Sequence, residues 1–478
     1  MNLRSSIITI TTTFVAFVGT AHAADASAWR DRSIYQLLTD RIGRLDNSTT
    51  ASCPPGFAGF CGGSYDMGFD AIWISPITEQ VLDPSRAYHG YTQTNLYGTN
   101  SNFGTPDDLR QLSQALHDRQ MYLMVDVVAN DFGASGPADN KSEVNFSSIH
   151  PFNSSDYFHD VCWITINDFT ANDNNVRICW LGDVQYPLPD VNTTQQDVRD
   201  VFNQWIKDII GNYSIDADVY AVGEVADNRV EIVCPYQSNS SSKILDAVLN
   251  YPTYNAATQF FQNPHNVTAN FLSTINSINS ECGDPTLLGS FTENHDQPRF
   301  AYFNEDLALA KNVLTFTILT DGIPIVYAGQ EQHYNGSIDD DREATWLSGY
   351  NEQTPLVQLI KWLNQIRRSA ISAASAGAYS QSQAQYFYYD GHSIGFRKGP
   401  NGTQIVIAIS NVGSGTGQAQ LDLGTAHGYA EGTELVEVLS CETVTVGNAG
   451  DLRVALADGM PQVLYPSARS GGTGVCGR

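Results

Sequence analysis

The 478-residue chain sets 51 acidic residues against 25 basic ones, for a net charge of −26 and a pI near 4.5. So acidic a surface repels phosphate backbones, which excludes nucleic acid as a partner and leaves a neutral partner unpenalised. The length suits two or three domains of about 150 residues each. Met1–Ala23 carries Arg4, an apolar stretch from Ile7 to Val18, and Ala21-His-Ala23 as a small-x-small cleavage site. That is the pattern of a secretory signal peptide, too short for a membrane span. The last residues, Ser467 to Arg478, lack the hydrophobic tail of a lipid-anchor signal. The expectation is a soluble, secreted, extracellular monomer without a membrane anchor.

Taken in chain order, Ser33–Asp40 and Ala71–Ser75 are the first predicted strands. Thr105–Arg119 opens with Thr-Pro-Asp-Asp, a cap and first turn that predict a helix. Met121–Val128 is the third strand and carries Asp126, with Asn130 just beyond. From Asp131 to Asp190 the pattern breaks into Asn-, Ser- and Asp-rich loops, and a long irregular insertion at a strand end is usually functional. Thr193–Ile210 returns to helical periodicity. Tyr220–Val225 is a short apolar strand ending on Glu224, followed by strands Ala247–Tyr251 and Leu287–Phe291. The last of these runs directly into Glu293, His295 and Asp296. Helix Glu305–Leu319 and strand Ile323–Tyr327 follow, and from Ala378 short alternating runs between Gly/Asn turns predict an antiparallel β-sandwich.

Strands alternating with helices make this an α/β chain with a parallel sheet, and several strands ending in acids is the plan of a TIM barrel. The eight cysteines (Cys53, Cys61, Cys162, Cys179, Cys234, Cys282, Cys441 and Cys476) show no C-x-x-C spacing, which disfavours zinc. An even count behind a signal peptide reads as four disulfides, and spacing leaves their pairing open. Asn-x-Ser/Thr sequons recurring from Asn47 to Asn401 predict a glycosylated surface.

The motifs Ser33-Ile-Tyr-Gln-Leu-Leu-Thr-Asp-Arg41, Ala71-Ile-Trp-Ile-Ser-Pro76, Tyr88-His-Gly-Tyr91, Val125-Asp-Val-Val-Ala-Asn130, Val222-Gly-Glu-Val225, the Glu293–Asp296 block and Tyr327-Ala-Gly-Gln-Glu331 occur in the order found in secreted fungal α-amylases. The chain resembles that family, retaining glycoside hydrolases acting on α-1,4-glucans, over nearly all its mature length. The resemblance implies a (β/α)8 barrel over 24–130 and 191–377, an inserted calcium-binding loop domain at 131–190 and a C-terminal β-sandwich at 378–478. It implies an α-glucan substrate: starch, glycogen or maltooligosaccharide. Retention takes one carboxylic acid to protonate the leaving oxygen and a carboxylate nucleophile about 5–5.5 Å away. By motif position Glu224 resembles the general acid/base and Asp296 the acid that stabilises the transition state. His89, His295 and Tyr88 resemble sugar contacts, Tyr91 the aromatic platform, Asp126 a supporting acid and Arg342 an outer contact. Asn130 and Asp190, with the backbone carbonyl of Arg177, resemble Ca²⁺ ligands, an oxygen set suited to a hard cation. The bridges implied are Cys53–Cys61, Cys162–Cys179, Cys234–Cys282 and Cys441–Cys476.

Several positions depart from the family pattern. A helix expected before Met67-Gly-Phe69 is absent. Asp131 replaces a histidine in the donor pocket, Thr92 an aromatic, and Ala58 a glutamine-type contact. At Ser214-Ile-Asp-Ala-Asp-Val-Tyr220 the fourth barrel strand, its nucleophile aspartate and a further calcium-binding carbonyl have no counterpart, so the barrel is expected to lack strand 4. Asp218 is the nearest carboxylate, yet it precedes the next strand. Losing a strand exposes two sheet edges or forces closure with altered shear. Three readings follow: an α-amylase, a 4-α-glucanotransferase favoured by Asp131 and Thr92, and an inactive α-glucan-binding protein or a mis-assembled gene product.

Overall fold

The computed structural model describes residues 26–43, 67–165, 168, 173–213, 220–239, 242–338, 340–471 and 473–477. The expected signal peptide, the Cys53–Cys61 bridge, Ala58, Asp218 and the segment 214–219 lie outside the described residues.

Five parallel strands form a sheet in the order Gly289–Ser290, Ile323–Tyr327, Ile34–Leu37, Ala71–Ile74 and Tyr122–Val125. A parallel pair, Val222–Gly223 with Ala247–Val248, joins it through a bridge between Leu249 and Gly289. The strands thus follow one another around a barrel. Among the described residues no strand pairs with the outer edge of Tyr122–Val125 or of Val222–Gly223. At the starts of these two strands the opening is filled by Trp29, which stacks on Tyr220 (centroids 5.4 Å) and tilts against Tyr122 (5.1 Å). A large buried ring here covers apolar surface between the two strand starts.

The helices that wrap the strands are set by their caps. Pro106–His117 starts in a capping box, with Thr105 Oγ1 accepting from Asp108 N and the Asp108 carboxylate accepting from Thr105 N. Asp306 caps Leu307–Leu319 and Thr354 caps Pro355–Ala373, each satisfying a first-turn amide that has no intrahelical partner. Leu307–Leu319 is buried on almost every face because it lies between the barrel and the C-terminal sheet.

The segment 131–190 is closed at its neck. Phe132 N donates to Pro189 O (3.1 Å), Val191 N donates to Asn130 O (2.6 Å), and Asp131 pairs with Asp190 in an antiparallel bridge. Its own core of Phe132, Phe146, Phe152, Phe158 and Trp180 packs onto Trp205 of helix Gln196–Tyr213. Bridges Cys162–Cys179, Cys234–Cys282 and Cys441–Cys476 are formed, as the resemblance implied. Each contributes about 2–4 kcal/mol by restricting the unfolded chain. Replacing Cys162 and Cys179 with serine should therefore lower the urea midpoint measurably, with peptide mapping of the parent confirming the pairing.

The C-terminal part is a six-stranded antiparallel sheet ordered Gln385–Tyr389, Ser393–Lys398, Ile405–Ser410, Gln462–Pro466, Glu434–Glu437 and Thr443–Thr445, with Gln418–Asp422 and Arg453–Ala457 paired apart. Ile405, Ile407 and Ile409 face the barrel helices, while Val406 and Ala408 face the core shared with Leu421, Val454 and Leu456. Burial on both faces explains the unbroken apolar run of that central strand. Asn312 ties the parts together, donating to Gly459 O (2.7 Å) and accepting from Ser410 N (2.8 Å). Asn411 donates to Asn266 O (2.8 Å), and Lys398 pairs with Asp321 in the interface.

Candidate active site

Glu224 follows Val222–Gly223 at the strand C-terminus and is only partly buried. Tyr251 Oη donates to its Oε1 at 2.6 Å, Asn294 Nδ2 donates to Tyr251 Oη at 2.9 Å, and Asp296 N donates to Asn294 Oδ1 at 3.1 Å. This relay fixes the acid relative to the loop that carries Asp296. Burial, then the charge of Asp296, pushes the Glu224 carboxyl well above the usual carboxylate range, with Tyr251 opposing and Asp126 adding to the rise. A raised pKa favours the protonated form, which a general acid requires.

Asp296 is buried. Arg342 Nη2 donates to its Oδ1 at 2.9 Å, and Arg342 Nε donates to the His295 carbonyl at 2.9 Å. Its Oδ2 makes no well-aligned hydrogen bond within the protein and lies 3.2 Å from His295 Nε2. Gln36 Nε2 donates to His295 Nδ1 at 3.2 Å, which leaves the neutral imidazole proton on Nε2, towards Asp296. Burial lowers the His295 pKa to about 4, with Asp296 opposing, so the ring is neutral. A buried carboxylate oxygen beside a neutral imidazole N–H is suited to sugar hydroxyls, each of which donates and accepts.

Tyr91 stacks on His295 (5.1 Å, 12° between planes), receives support from His89 Nδ1, which accepts from Tyr91 N at 2.9 Å, and donates through Oη to Asp126 Oδ2 at 2.8 Å. Tyr88 is buried over Arg41 (4.3 Å) and packs edge-on to His89. Glu224, Asp296, Asp126, His295, His89, Tyr91 and Arg342 therefore converge. Thr92 and Asp131 do not. Thr92 is buried, donating through Oγ1 to Arg86 O at 2.9 Å. Asp131, 1% exposed, points into the neck of the insertion, where burial and then the neighbouring Asp190 charge push its carboxyl well up. Both replacements are thus held by bonds within the protein, Asp131 beside Asn130 and Thr92 against the Arg86 carbonyl.

Four contributors were given no role by the sequence, although Gln36 and Asn294 lie inside its motifs: Gln36, Tyr251, Asn294 and Arg299. Arg299, fully buried, donates to Glu293 Oε2 (3.1 Å), Glu343 Oε2 (2.8 and 3.0 Å) and Ala328 O (2.8 Å). Glu293, which the sequence set beside His295 and Asp296, is thus an ion-pair partner behind the site. Glu343 Oε1 accepts from Gly336 N (2.9 Å), so this cluster fixes the loop that presents Arg342. Gly329 passes it at φ 100°, and a Cβ there would meet Arg299 Nη2 at 2.7 Å.

At the neck, Asn130, Asp131 and Asp190 gather side-chain oxygens, Asp131 Oδ1 is buried without a hydrogen-bond partner, and His159 Nδ1 sits 2.6 Å from Asp190 Oδ2. The donor set is chemically right for a hard cation. Among the described residues no three His, Cys, Asp or Glu side chains are arranged around one metal point, so backbone carbonyls would have to complete the shell. Arg177 lies exposed on helix Asp173–Ile178, and no hydrogen bond or ion pair described joins it to this group.

A parallel barrel that gathers a glutamate of raised pKa and an arginine-paired aspartate beyond its strand ends is the arrangement of a carboxylate glycoside hydrolase. Residues 65–217 and 188–391 match the family "Alpha amylase, catalytic domain", and 386–478 match "Alpha-amylase, domain C". The chain is 41% identical to "Alpha-amylase 1" of Schwanniomyces occidentalis over 492 aligned positions (95% of this chain, 93% of the relative). It is 40% identical to an α-amylase of Saccharomycopsis fibuligera (93% of each). An α-amylase structure from Malbranchea cinnamomea superposes with a TM-score of 0.88 at 42% identity, covering 95% of this chain and all of that one. The chain belongs to the α-amylase family. An alignment longer than the chain itself means that the relative carries residues with no counterpart here.

Proposed function

We propose that this chain is an α-amylase that cleaves internal α-1,4-glucosidic bonds of starch and glycogen with retention. The observation that carries the reading is the pairing of a proton-holding Glu224 with an Arg342-bound Asp296. Glu224 donates its proton to the leaving glycosidic oxygen and later takes one from water. Asp296 Oδ2 and His295 grip the hydroxyls of the ring being cut, and Tyr91 supports that ring. On maltoheptaose the products should be shorter than the substrate throughout the reaction. Chains longer than seven glucose units would mean transfer and would overturn the hydrolase reading.

Secretion fits the expected signal peptide and fungal relatives, and among the described residues no helix is long and apolar enough to cross a membrane. The segment 131–190 acts as a loop domain tied to the barrel at 130–131 and 190–191. One Ca²⁺ held by Asn130 and Asp190, with Asp131 beside them and the Arg177 carbonyl as the family implies, would bind only the folded neck. Bound calcium would supply positive charge that stabilises those buried carboxylates. At a hundredfold excess over Kd such a ligand stabilises by about 2.7 kcal/mol. Calcium should therefore raise the melting temperature by a few degrees, reversed by EDTA. An unmoved melting curve would refute the site.

A further inference from the structure

The hydrogen bonds that end on Glu224 have a direction, and one donor fixes it. Asp296 N can only donate, so the Asn294 side-chain atom 3.1 Å away is its oxygen, Oδ1. The amide nitrogen of Asn294 is thereby the atom that meets Tyr251 Oη, donating at 2.9 Å. Tyr251 is buried, and among the described residues its hydroxyl bonds only to Asn294 and Glu224. The phenol proton therefore goes to Glu224 Oε1, 2.6 Å away, because a buried hydroxyl without an acceptor is costly. With Oε1 accepting, the proton of the neutral acid sits on Oε2.

The backbone and the packing both hold Tyr251 in place. It opens helix Tyr251–Gln262 behind the Asn250 cap, with its N–H on Leu249 O at 2.9 Å. Its ring stands edge-on to Phe291 (5.0 Å) and Tyr254 (6.0 Å). The plainer role is packing, with the ring filling space behind the strand end. That role needs no phenol oxygen, whereas here a buried asparagine is committed to orienting one.

Resting on the α-amylase reading, we infer that Tyr251, oriented by Asn294, is a positioning residue that fixes the acid proton of Glu224 on Oε2 and stabilises the carboxylate formed when that proton leaves. As the C1–O bond breaks, its electron pair stays on the departing oxygen and takes the Oε2 proton, while C1 bonds to the nucleophile that retention requires. Glu224 is left ionised, and the bond from Tyr251 becomes charge-assisted and roughly twice as strong. An interaction that strengthens along a step lowers its barrier. Burial, Asp296 and Asp126 raise the Glu224 pKa, and the Tyr251 bond opposes them; Tyr91 also feels the Glu224 charge.

Tyr251→Phe in the whole protein is the test. Its kcat on starch should fall by about ten- to a hundredfold, the loss of one hydrogen bond to a charged group, with KM little changed. Maltosyl fluoride, whose leaving group takes no proton, should be cleaved nearly as well as by the parent. The alkaline limb of kcat should move to higher pH, because the lost bond favoured the ionised form. 3-Fluorotyrosine placed at position 251 keeps the ring and donates more strongly, so it should move that limb to lower pH even if the Phe variant misfolds. An equal loss on both substrates, with an unmoved limb in each folded variant, would mean packing alone and would overturn the inference. The Glu224 carboxyl stretch, isolated by subtracting the infrared spectrum of the Glu224→Gln form, gives the same titration without turnover. Its protonated band should persist to higher pH in Tyr251→Phe and to lower pH with 3-fluorotyrosine. A parent that does not hydrolyse starch would sink the α-amylase reading, and the infrared titration would then decide the role of Tyr251 alone, an unshifted band overturning it.

Discussion

Glu224→Gln should abolish starch hydrolysis, with kcat reduced by about 10²–10⁴-fold, the usual contribution of a positioned general acid. The amide keeps the side chain's shape and can still accept from Tyr251 Oη, which now donates at 2.6 Å, so the site remains assembled. What it lacks is a proton for the glycosidic oxygen. The same variant should lose far less activity on maltosyl fluoride, whose leaving group needs no protonation, and this contrast separates a lost acid from a damaged site. The pH dependence has a definite sign. Glu224 acts when protonated and its pKa is raised, so activity is present below that pKa and falls as pH rises through it. Stability follows the same sign. With a folded pKa above the unfolded value, stability is greatest below the unfolded pKa and declines as pH climbs through the folded one. Glu224→Gln should therefore melt higher than the parent at neutral pH, a gain made at the expense of function.

Arg299→Ala should be the most damaging single change outside the cleft, costing about 3–5 kcal/mol, because removing one partner leaves buried charge uncompensated. Two carboxylates depend on this guanidinium, Glu293 and Glu343, both nearly inaccessible to water. Burial already pushes Glu293 up to about 7 despite Arg299. Arg299→Lys should rescue little, since a single ammonium cannot reproduce the fork that meets Glu293, Glu343 and the Ala328 carbonyl together. Calorimetry should show the loss as a lower melting temperature. Arg342→Ala removes one ion pair, to Asp296, from a side chain 18% exposed, so it should lower the melting temperature less than Arg299→Ala and lose activity as well. Similar melting behaviour for the two variants would contradict this division of labour.

The sequence announced the residues whose neighbours lie close in the chain. His295 and Asp296 sit in one short block, and Glu224 ends a short apolar run, so both ends of the acid pair were legible. Their partners were not, because Gln36, Tyr251 and Arg299 reach the site from separate elements. Tyr251 was placed at the end of a strand. The strand stops at Val248, and Tyr251 begins helix Tyr251–Gln262 behind the Asn250 cap and Pro252, a start signal present in the sequence. Strands Ser33–Asp40 and Leu287–Phe291 were drawn too long for a related reason. Apolar residues buried on both sides carry no period, so nothing in the pattern marked the turn Thr39–Ile42 or the short helix Pro285–Leu287. Nothing in the local sequence marks the bridge between Asp131 and Asp190, because its two sides lie at opposite ends of the segment 131–190.

The C-terminal sheet carries a thermodynamic consequence. Ile405, Ile407 and Ile409 belong to the same packed cluster as Leu309, Val313 and Phe316, and Asn312 and Asn411 satisfy backbone groups across the seam. Neither part can unfold without exposing the other's apolar face and stranding its polar atoms. The chain should accordingly melt in one calorimetric transition, with no step belonging to the sandwich alone. A barrel cut off near residue 377 should collect in inclusion bodies. The division visible along the sequence is one of architecture and not of cooperativity.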